Sequence, residues 1–183
     1  MDDQTDSEFA DADFRDEDFS RLRTERVVFD GCDFSGVDLS ESEHVGSAFR
    51  NCMFRRTSLW HSIFRHCSFL GSTFVECRIR PVTFVECDFT LAVLGGADLR
   101  TVDLSDCRLR ETGLVGADLR RAVLARTDLT GARVQGTRLD EADLRGARAD
   151  PTFWPTASLR GAKIDIEPAV AFGAAHGLDI HGG

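Results

Sequence analysis

A five-residue period runs through this chain. From Phe9 to Ile164, every fifth position is large and apolar in 29 of 32 cases, and the phase never slips. The exceptions are Thr24, His44 and Ala149. A period of five fits neither the 3.6-residue repeat of an amphipathic helix nor the two-residue alternation of a flat strand. It predicts a solenoid that turns a corner every five residues.

A column of small residues accompanies the large one, two positions earlier, and only Glu17 and Leu22 interrupt it. If both columns point inward, four corners close a square coil of 20 residues, and coils hydrogen-bond to each other at ~4.8 Å spacing. Roughly eight coils then form a rod of about 38 Å. The sequence therefore predicts an all-β solenoid over residues 1–166.

The pattern A-(D/N)-L-x-x recurs in Ala97-Asp98-Leu99-Arg100, Ala117-Asp118-Leu119-Arg120 and Ala142-Asp143-Leu144-Arg145-Gly146. On these segments the chain resembles the pentapeptide-repeat family over about residues 7–166, which implies a right-handed quadrilateral β-helix. The Phe-rich first half, the Leu-rich second half and the tail are similar to the mycobacterial fluoroquinolone-resistance branch of that family. This resemblance implies binding to DNA gyrase by a protein shaped and charged like duplex DNA.

The C-terminal residues 167–183 depart from the period. Acidic residues, Pro168 in a first-turn position and an Ala-rich run predict a helix of about ten residues, and a very short strand follows. Such a helix is marginal alone in water, so it must pack on something. It either only caps the last coil or also joins two chains into a homodimer, which the resemblance favours. The residues expected at a dimer contact are Val170, Phe172, Leu178 and Ile180.

All six cysteines occupy the small inward position, which predicts reduced thiols buried in columns. Metal sites need ligands that converge at short spacings such as C-x2-C, and none do. His61 and His66 point outward while Cys67 points inward, so no Cys–His nucleophile pair assembles. His44, in an inward slot, is interpreted as a hydrogen-bonded residue at a local bulge, with a ligand as the alternative. Phosphate-loop and hydrolase motifs are absent, so we expect no enzyme, cofactor or metal.

The charge is unevenly distributed along the chain. Residues 1–49 carry a net −11, residues 50–80 a net +5 and residues 81–183 a net −3, which gives −9 in total. Such a balance disfavours direct binding of nucleic acid. Duplex DNA would carry about 22 charges over 38 Å. Mimicry of DNA would therefore depend on a rod of similar width with a few acidic faces.

Stacking by 20 aligns the candidate acidic residues on two adjacent faces. They are Asp18, Asp38, Asp98 and Asp118 on one face, and Asp103 and Asp143 on the next. These carboxylates are the candidate mimics of phosphates, although Asp before the central Leu is also a preference of the repeat, and surface acids are usually just solvated. Trp60, among arginines, is either a partner anchor or an ordinary exposed aromatic residue.

Two functions remain open at this point. The first, implied by the resemblance, is a DNA mimic that binds gyrase, competes with a DNA segment, inhibits or regulates supercoiling and protects from fluoroquinolones; the subunit contacted is not specified. The second is a structural or adaptor solenoid unrelated to topoisomerases. With no run of 18 apolar residues and an acidic N-terminus, we expect a cytoplasmic protein that makes no membrane contact.

Overall fold

The computed structural model describes residues 3–180 as a right-handed β-solenoid of stacked square coils with one C-terminal helix. Backbone pairing is parallel and joins residues 20 apart, from Gln4↔Thr24 to Asp143↔Lys163. The predicted fold class is confirmed. We number the sides of the square as faces 1 to 4, after the inward residues His44, Phe49, Phe54 and Leu59 of one coil.

The regular strands lie in the N-terminal half, and the later coils keep the same register through isolated bridges. Face 1 contains β1, β3, β5, β8 and β10, face 2 contains β2, β4 and β6, and face 3 contains β7 and β9. The strands are β1 Gln4–Thr5, β2 Glu8–Ala10, β3 Arg23–Glu25, β4 Val28–Asp30, β5 Glu43–Val45, β6 Ala48–Arg50, β7 Met53–Arg55, β8 Ile63–Arg65, β9 Thr73–Val75 and β10 Thr83–Val85. A 3₁₀ helix spans Trp154–Thr156, and α1 spans Ile166–Ala175.

Phenylalanine rings fill the first half of the core as stacks along the rod axis. On face 2 the ring centroids of Phe29 and Phe49 are 5.0 Å apart, those of Phe49 and Phe69 are 5.3 Å apart, and those of Phe69 and Phe89 are 4.9 Å apart, with interplanar angles of 11–13°. These separations follow the ~4.8 Å spacing of hydrogen-bonded strands, so the backbone ladder itself brings the rings into stacking range. Rings on adjacent faces meet edge to face, as Phe64 and Phe69 do at 5.2 Å.

At most corners the backbone is left-handed two residues after the large inward residue, but not at Pro81, Pro151 or Thr156. Gly36, for example, has φ of 73°, and Asp16 in the coil before it has φ of 61°. A Cβ on Gly36 would overlap the Asp16 carboxylate, which occupies the space between the two corners. Gly36 adopts this φ without the strain of a side chain, and a larger residue there would have to displace the Asp16 carboxylate.

The two polar exceptions in the inward column satisfy each other. Thr24 and His44 are register partners in β3 and β5, and the Thr24 Oγ1 lies 2.7 Å from the His44 Nδ1. The His44 Nε2 lies 2.9 Å from the Ser42 Oγ, and its ring stacks on Phe64 at 4.7 Å. The prediction of a hydrogen-bonded residue is confirmed. The predicted local bulge is wrong, because β5 keeps regular register with β8.

The six cysteines are free thiols, five of them buried and Cys77 partly exposed. The Cys67 Sγ donates to the His44 carbonyl at 3.4 Å, as the Ser62 Oγ does to the Leu39 carbonyl at 2.7 Å. Burial raises the pKa of the Cys67 thiol to about 11 and that of Cys52 to about 12. Because the thiolate is the reactive form, these residues are packing elements.

The backbone ladder opens between residues 77–86 and 97–106. Elsewhere Leu59 N donates to Arg78 O at 2.8 Å and Leu99 N to Asp118 O at 2.8 Å. Among residues 3–180, the equivalent amides of Ile79, Phe84, Asp98 and Asp103 make no such bond between coils. The opening lies at the corner between faces 4 and 1.

Arg80 crosses this opening with its side chain. Its guanidinium bonds the Asp98 Oδ2 at 2.6 Å and the Arg100 carbonyl at 3.3 Å. A side-chain clamp therefore takes over part of the role of the missing backbone bonds. Its Nε is buried without a partner among the described atoms.

The predicted C-terminal helix is present as α1, after the last coil of the rod. Ala171 and Phe172 pack against the core together with Leu159 and Ile164. The predicted very short strand at 178–180 is not formed among the described residues, and residues 181–183 lie outside them. Instead, the Leu178 and Ile180 side chains lie over the buried Gly173. No described helix has the length and apolar character needed to cross a bilayer.

We expect His44 to make the stability of the fold sensitive to mild acid. Burial lowers the pKa of His44 to about 3, against about 6.5 in the unfolded chain. Because the unfolded state binds the proton more readily, the buried neutral His44 contributes its full stability above about pH 6.5. The free energy of unfolding then falls as the pH drops towards 3, by up to ~1.4 kcal/mol per pH unit. Urea unfolding at several pH values between 6.5 and 4.5 should show this loss in the parent protein and a flatter profile in His44→Phe.

The matched control is His66→Gln, which removes an exposed histidine beside Glu86. We expect the unfolding free energy of this variant to depend on pH as it does in the parent protein. Carboxylates with lowered pKa values contribute mainly below about pH 5, so the part of the profile between pH 6.5 and 5 reports on His44. An unchanged slope in His44→Phe would show that other groups set the acid sensitivity.

We also expect the ladder opening to appear in amide hydrogen exchange. An amide that has no hydrogen-bond acceptor in the neighbouring coil needs only a small local fluctuation to exchange with solvent. Peptides covering residues 77–86 should therefore exchange faster than peptides covering 57–66, which occupy the same faces one coil earlier. Arg80→Ala should increase the difference. Equal protection in the two peptides would contradict an open ladder.

Candidate partner-binding surfaces

Three of the six candidate acidic residues are neutralised by arginines of this chain. Asp98 pairs with Arg80 at 2.6 Å and with Arg100 at 2.8 Å, and Asp118 pairs with Arg120 at 2.7 Å. Bonds from Arg100 and Arg80 hold the pKa of Asp98 far below its usual range. Asp143 pairs with Arg145 at 2.5 Å, which lowers its pKa to about 2.

The other three candidate residues have no cationic partner within ion-pair distance among residues 3–180. Asp18, Asp38 and Asp103 each accept the backbone N–H of the serine two residues later, at 2.9 Å. Asp18 and Asp38 pair in register on face 4, and Asp103 lies on face 1. Their negative charge is therefore available to a partner.

A simple sequence signal separates these two groups. The residues before and after the large inward residue both project outward on the same face, so an Arg two positions after the Asp folds back onto it. This happens in Asp98-Leu99-Arg100 and in Asp143-Leu144-Arg145. A serine at that position leaves the carboxylate free, as in Asp38-Leu39-Ser40. The pattern is visible in the sequence, although the sequence analysis did not use it.

Further unpaired carboxylates crowd the N-terminal coils, and most of them were missed by the sequence analysis. Together with Asp18 and Asp38, the carboxylates without an ion pair among the described residues between 8 and 40 are Glu8, Asp11, Asp16, Glu17 and Asp30. Between residues 41 and 180 about half of the acids are paired with arginines, against three of ten between residues 8 and 40. The negative potential is therefore concentrated at the N-terminal end of the rod.

Trp60 lies on face 4, next to the acidic coils. Its side chain is half-buried, the Arg78 guanidinium carbon lies 5.1 Å from the ring centroid, and the His61 ring meets it edge-on at 4.2 Å. One arginine therefore contacts the Trp60 ring. Exposed arginines without ion pairs lie around the rod in this coil and the next, on all four faces. We call Arg50, Arg55, Arg56, Arg65 and Arg78 the arginine belt.

The tail leaves an apolar surface at the C-terminal end of the rod. Val170 is 42% exposed, Leu178 63% and Ile180 43%. Ile166, which the sequence analysis did not select, is 83% exposed. Phe172 instead packs inward against the core. Three of the four predicted dimer residues therefore lie on one exposed apolar end, and the fourth holds the helix in place.

The described residues offer surfaces for binding. Among residues 3–180, no cluster of three or more His, Cys, Asp or Glu side chains could hold a metal ion. His66 is exposed beside Glu86, with Nδ1 3.4 Å from Oε2, whereas the neighbouring Cys67 is buried. Charge, shape and apolar contact are what this arrangement presents to a partner.

Known proteins share this sequence and this fold. The pentapeptide repeat region matches residues 3–69 and 57–134. The pentapeptide repeat protein MfpA of Mycolicibacterium smegmatis is 78% identical over 178 residues, which cover 97% of this chain and 93% of that protein. The protein of the same name from Mycobacterium tuberculosis is 63% identical over 183 residues and covers 100% of both chains.

Solved structures with low sequence identity show the same fold. QnrB1, a plasmid-mediated fluoroquinolone resistance protein, superposes with a TM-score of 0.71 at 22% identity, over 98% of this chain and 97% of that chain. HetL from the cyanobacterium Nostoc superposes with a TM-score of 0.53 at 20% identity, over 87% of both chains. The repeat match and the two relatives identify the chain as a member of the pentapeptide repeat family.

Proposed function

We propose that this rod binds DNA gyrase in the place of a DNA segment, inhibits supercoiling and protects the enzyme from fluoroquinolones. The observation that carries the proposal is the set of carboxylates without ion pairs among the described residues, on a solenoid of regular 20-residue coils. The similarity to QnrB1, which is described as a fluoroquinolone resistance protein, supports the same function class. Binding, without catalysis, is all that this function requires of the chain.

The N-terminal coils are the surface that we assign to this contact, with Asp18 and Asp38 at its centre. Lysines and arginines that bind phosphates on the enzyme would pair with these carboxylates. Neighbouring coils repeat every ~4.8 Å, whereas one DNA strand carries a phosphate every ~3.4 Å. The carboxylates are therefore spaced more widely than the phosphates of DNA. Long-range attraction of this kind weakens as salt screens it.

The same proposal includes a homodimer through the C-terminal end. Exposed Val170, Leu178 and Ile180 form an apolar surface beside a helix that already closes the core, and such surfaces commonly mark interfaces. Two rods joined at this end would double the length and place both acidic ends outward. The assembly would then extend further along a DNA-binding surface than one chain does.

One observation favours the alternative function, an adaptor solenoid unrelated to topoisomerases. The arginine belt has the wrong sign for a mimic of phosphates, and it lies next to the acidic coils. An adaptor would use both charges to hold two different partners. A supercoiling assay with purified gyrase separates the alternatives, because an adaptor would leave the rate unchanged.

We expect neutralisation of free carboxylates to weaken gyrase inhibition more than neutralisation of paired ones. Asp18→Asn with Asp38→Asn removes two available charges, and each Asn oxygen can still accept the serine N–H. This pair should raise the half-inhibitory concentration in the supercoiling assay about tenfold, which corresponds to ~1.4 kcal/mol of binding. Asp98→Asn with Asp118→Asn is the matched control, with the same change in net charge.

The control pair should change inhibition by less than about threefold, because those charges are already cancelled by arginines. Equal losses in the two pairs would point to total acidity as the cause. Absence of inhibition by the parent protein would reject the gyrase proposal and leave the adaptor.

We expect charge on the exposed tail to separate the two chains of the dimer. Val170→Asp with Leu178→Asp places carboxylates on the apolar end and leaves Phe172 on the core. Light scattering should give the mass of two chains for the parent protein and of one chain for the variant, with unchanged circular dichroism. If the variant keeps the parent mass, the tail only caps the rod.

A further inference from the structure

We propose that one edge of the arginine belt, formed by Arg55, Arg56 and Arg78 with Trp60, is a second binding surface, which takes an acidic segment of a protein partner. Between Arg15 and Arg126, every arginine outside the belt has a carboxylate oxygen within 4.0 Å. The five belt arginines have none among the described residues. Five of the eight arginines that have no ion pair among the described residues therefore lie in two adjacent coils, and the other three are Arg133, Arg148 and Arg160.

The belt has a continuous part along one edge of the rod. Arg55 ends β7 on face 3, Arg56 forms the corner between faces 3 and 4, and Trp60 and Arg78 lie on face 4 in neighbouring coils. Arg55, Arg56 and Arg78 are exposed. These four side chains thus present three cations and an aromatic ring to the same side of the molecule.

Trp60 and Arg78 give this edge the composition of an interface centre. The ring is half-buried and has a guanidinium 5.1 Å from its centroid, so Arg78 is held in place by a contact with this chain. Trp and Arg are enriched among the residues that dominate binding energy, and a cation held on a ring loses less freedom when it binds. The edge is therefore better prepared for a ligand than a set of freely moving arginines.

The width of the belt favours an acidic protein segment over nucleic acid. Two coils measure about 10 Å along the rod, whereas the major groove alone of a duplex is ~12 Å wide. A duplex on the belt would also cover the unpaired carboxylates of the preceding coils, which lie within about one Debye length of it. A short peptide segment rich in Asp and Glu fits across the edge without reaching them.

This surface is separate from the one proposed to contact gyrase. The belt would repel the phosphate-binding lysines and arginines of gyrase. A partner that binds the belt must therefore be negatively charged. The inference does not rest on gyrase binding. Its test uses no gyrase, and the two proposals can fail independently.

The test is a titration with a fluorescein-labelled peptide of about ten alternating Asp and Glu residues at about 150 mM salt. Anisotropy gives the affinity, and tryptophan emission reports the site. We expect a dissociation constant in the micromolar range and a change in emission that Trp60→Phe abolishes. Arg56→Gln with Arg78→Gln should weaken binding about tenfold.

The matched control is Arg148→Gln with Arg160→Gln, which removes two unpaired arginines elsewhere and should change the affinity less than about twofold. Circular dichroism verifies that every variant is folded, and Arg55→Gln provides a further single change on the same edge. Failure of the parent protein to bind at millimolar peptide would overturn the proposal, as would equal weakening in both pairs. Stronger binding of a duplex oligonucleotide of equal charge would reassign the belt to nucleic acid.

Discussion

The backbone hydrogen bonds between coils, which hold residues 20 positions apart in register, are the interaction on which the rest of this structure depends. It fixes the distance between coils, and through that distance it sets the stacking of core rings and of surface charges. A Phe can stack on a Phe at about 5 Å only because the backbones are held at ~4.8 Å. Small residues beside the large ones then fill the narrow interior at normal packing density.

Much of this fold could be predicted from the sequence because the repeat is local and exact in phase. Each inward position has the same environment in every coil, so the five-residue period identifies both the core and the outward faces. His44 shows the limit of this reasoning. Its inward position was predictable, but its hydrogen bond to Thr24 follows from the 20-residue stacking and needed no bulge.

The candidate site was less predictable, because the partners of a surface charge are not given by its own position alone. Asp38 and Asp98 occupy equivalent places on face 4, yet Arg100 and Arg80 neutralise only Asp98. Arg100 lies two residues after Asp98 in the same repeat, so this ion pair could be predicted from the sequence. Arg80 reaches Asp98 from the preceding coil, and its position depends on the opening of the ladder, which the repeat pattern does not indicate.

The opening also gives the rod a direction of mechanical weakness. At this level the coils remain joined through faces 2 and 3, where Phe74 N bonds Val93 O at 2.9 Å and Phe89 N bonds Arg108 O at 2.7 Å. A bending load that stretches the corner between faces 4 and 1 meets the Arg80 clamp and, among the described residues, no backbone bond between coils, whereas the opposite load compresses packed side chains. Bending about this corner would therefore break fewer backbone hydrogen bonds than bending elsewhere, and a curved binding surface could be followed by flexing there instead of by unwinding coils.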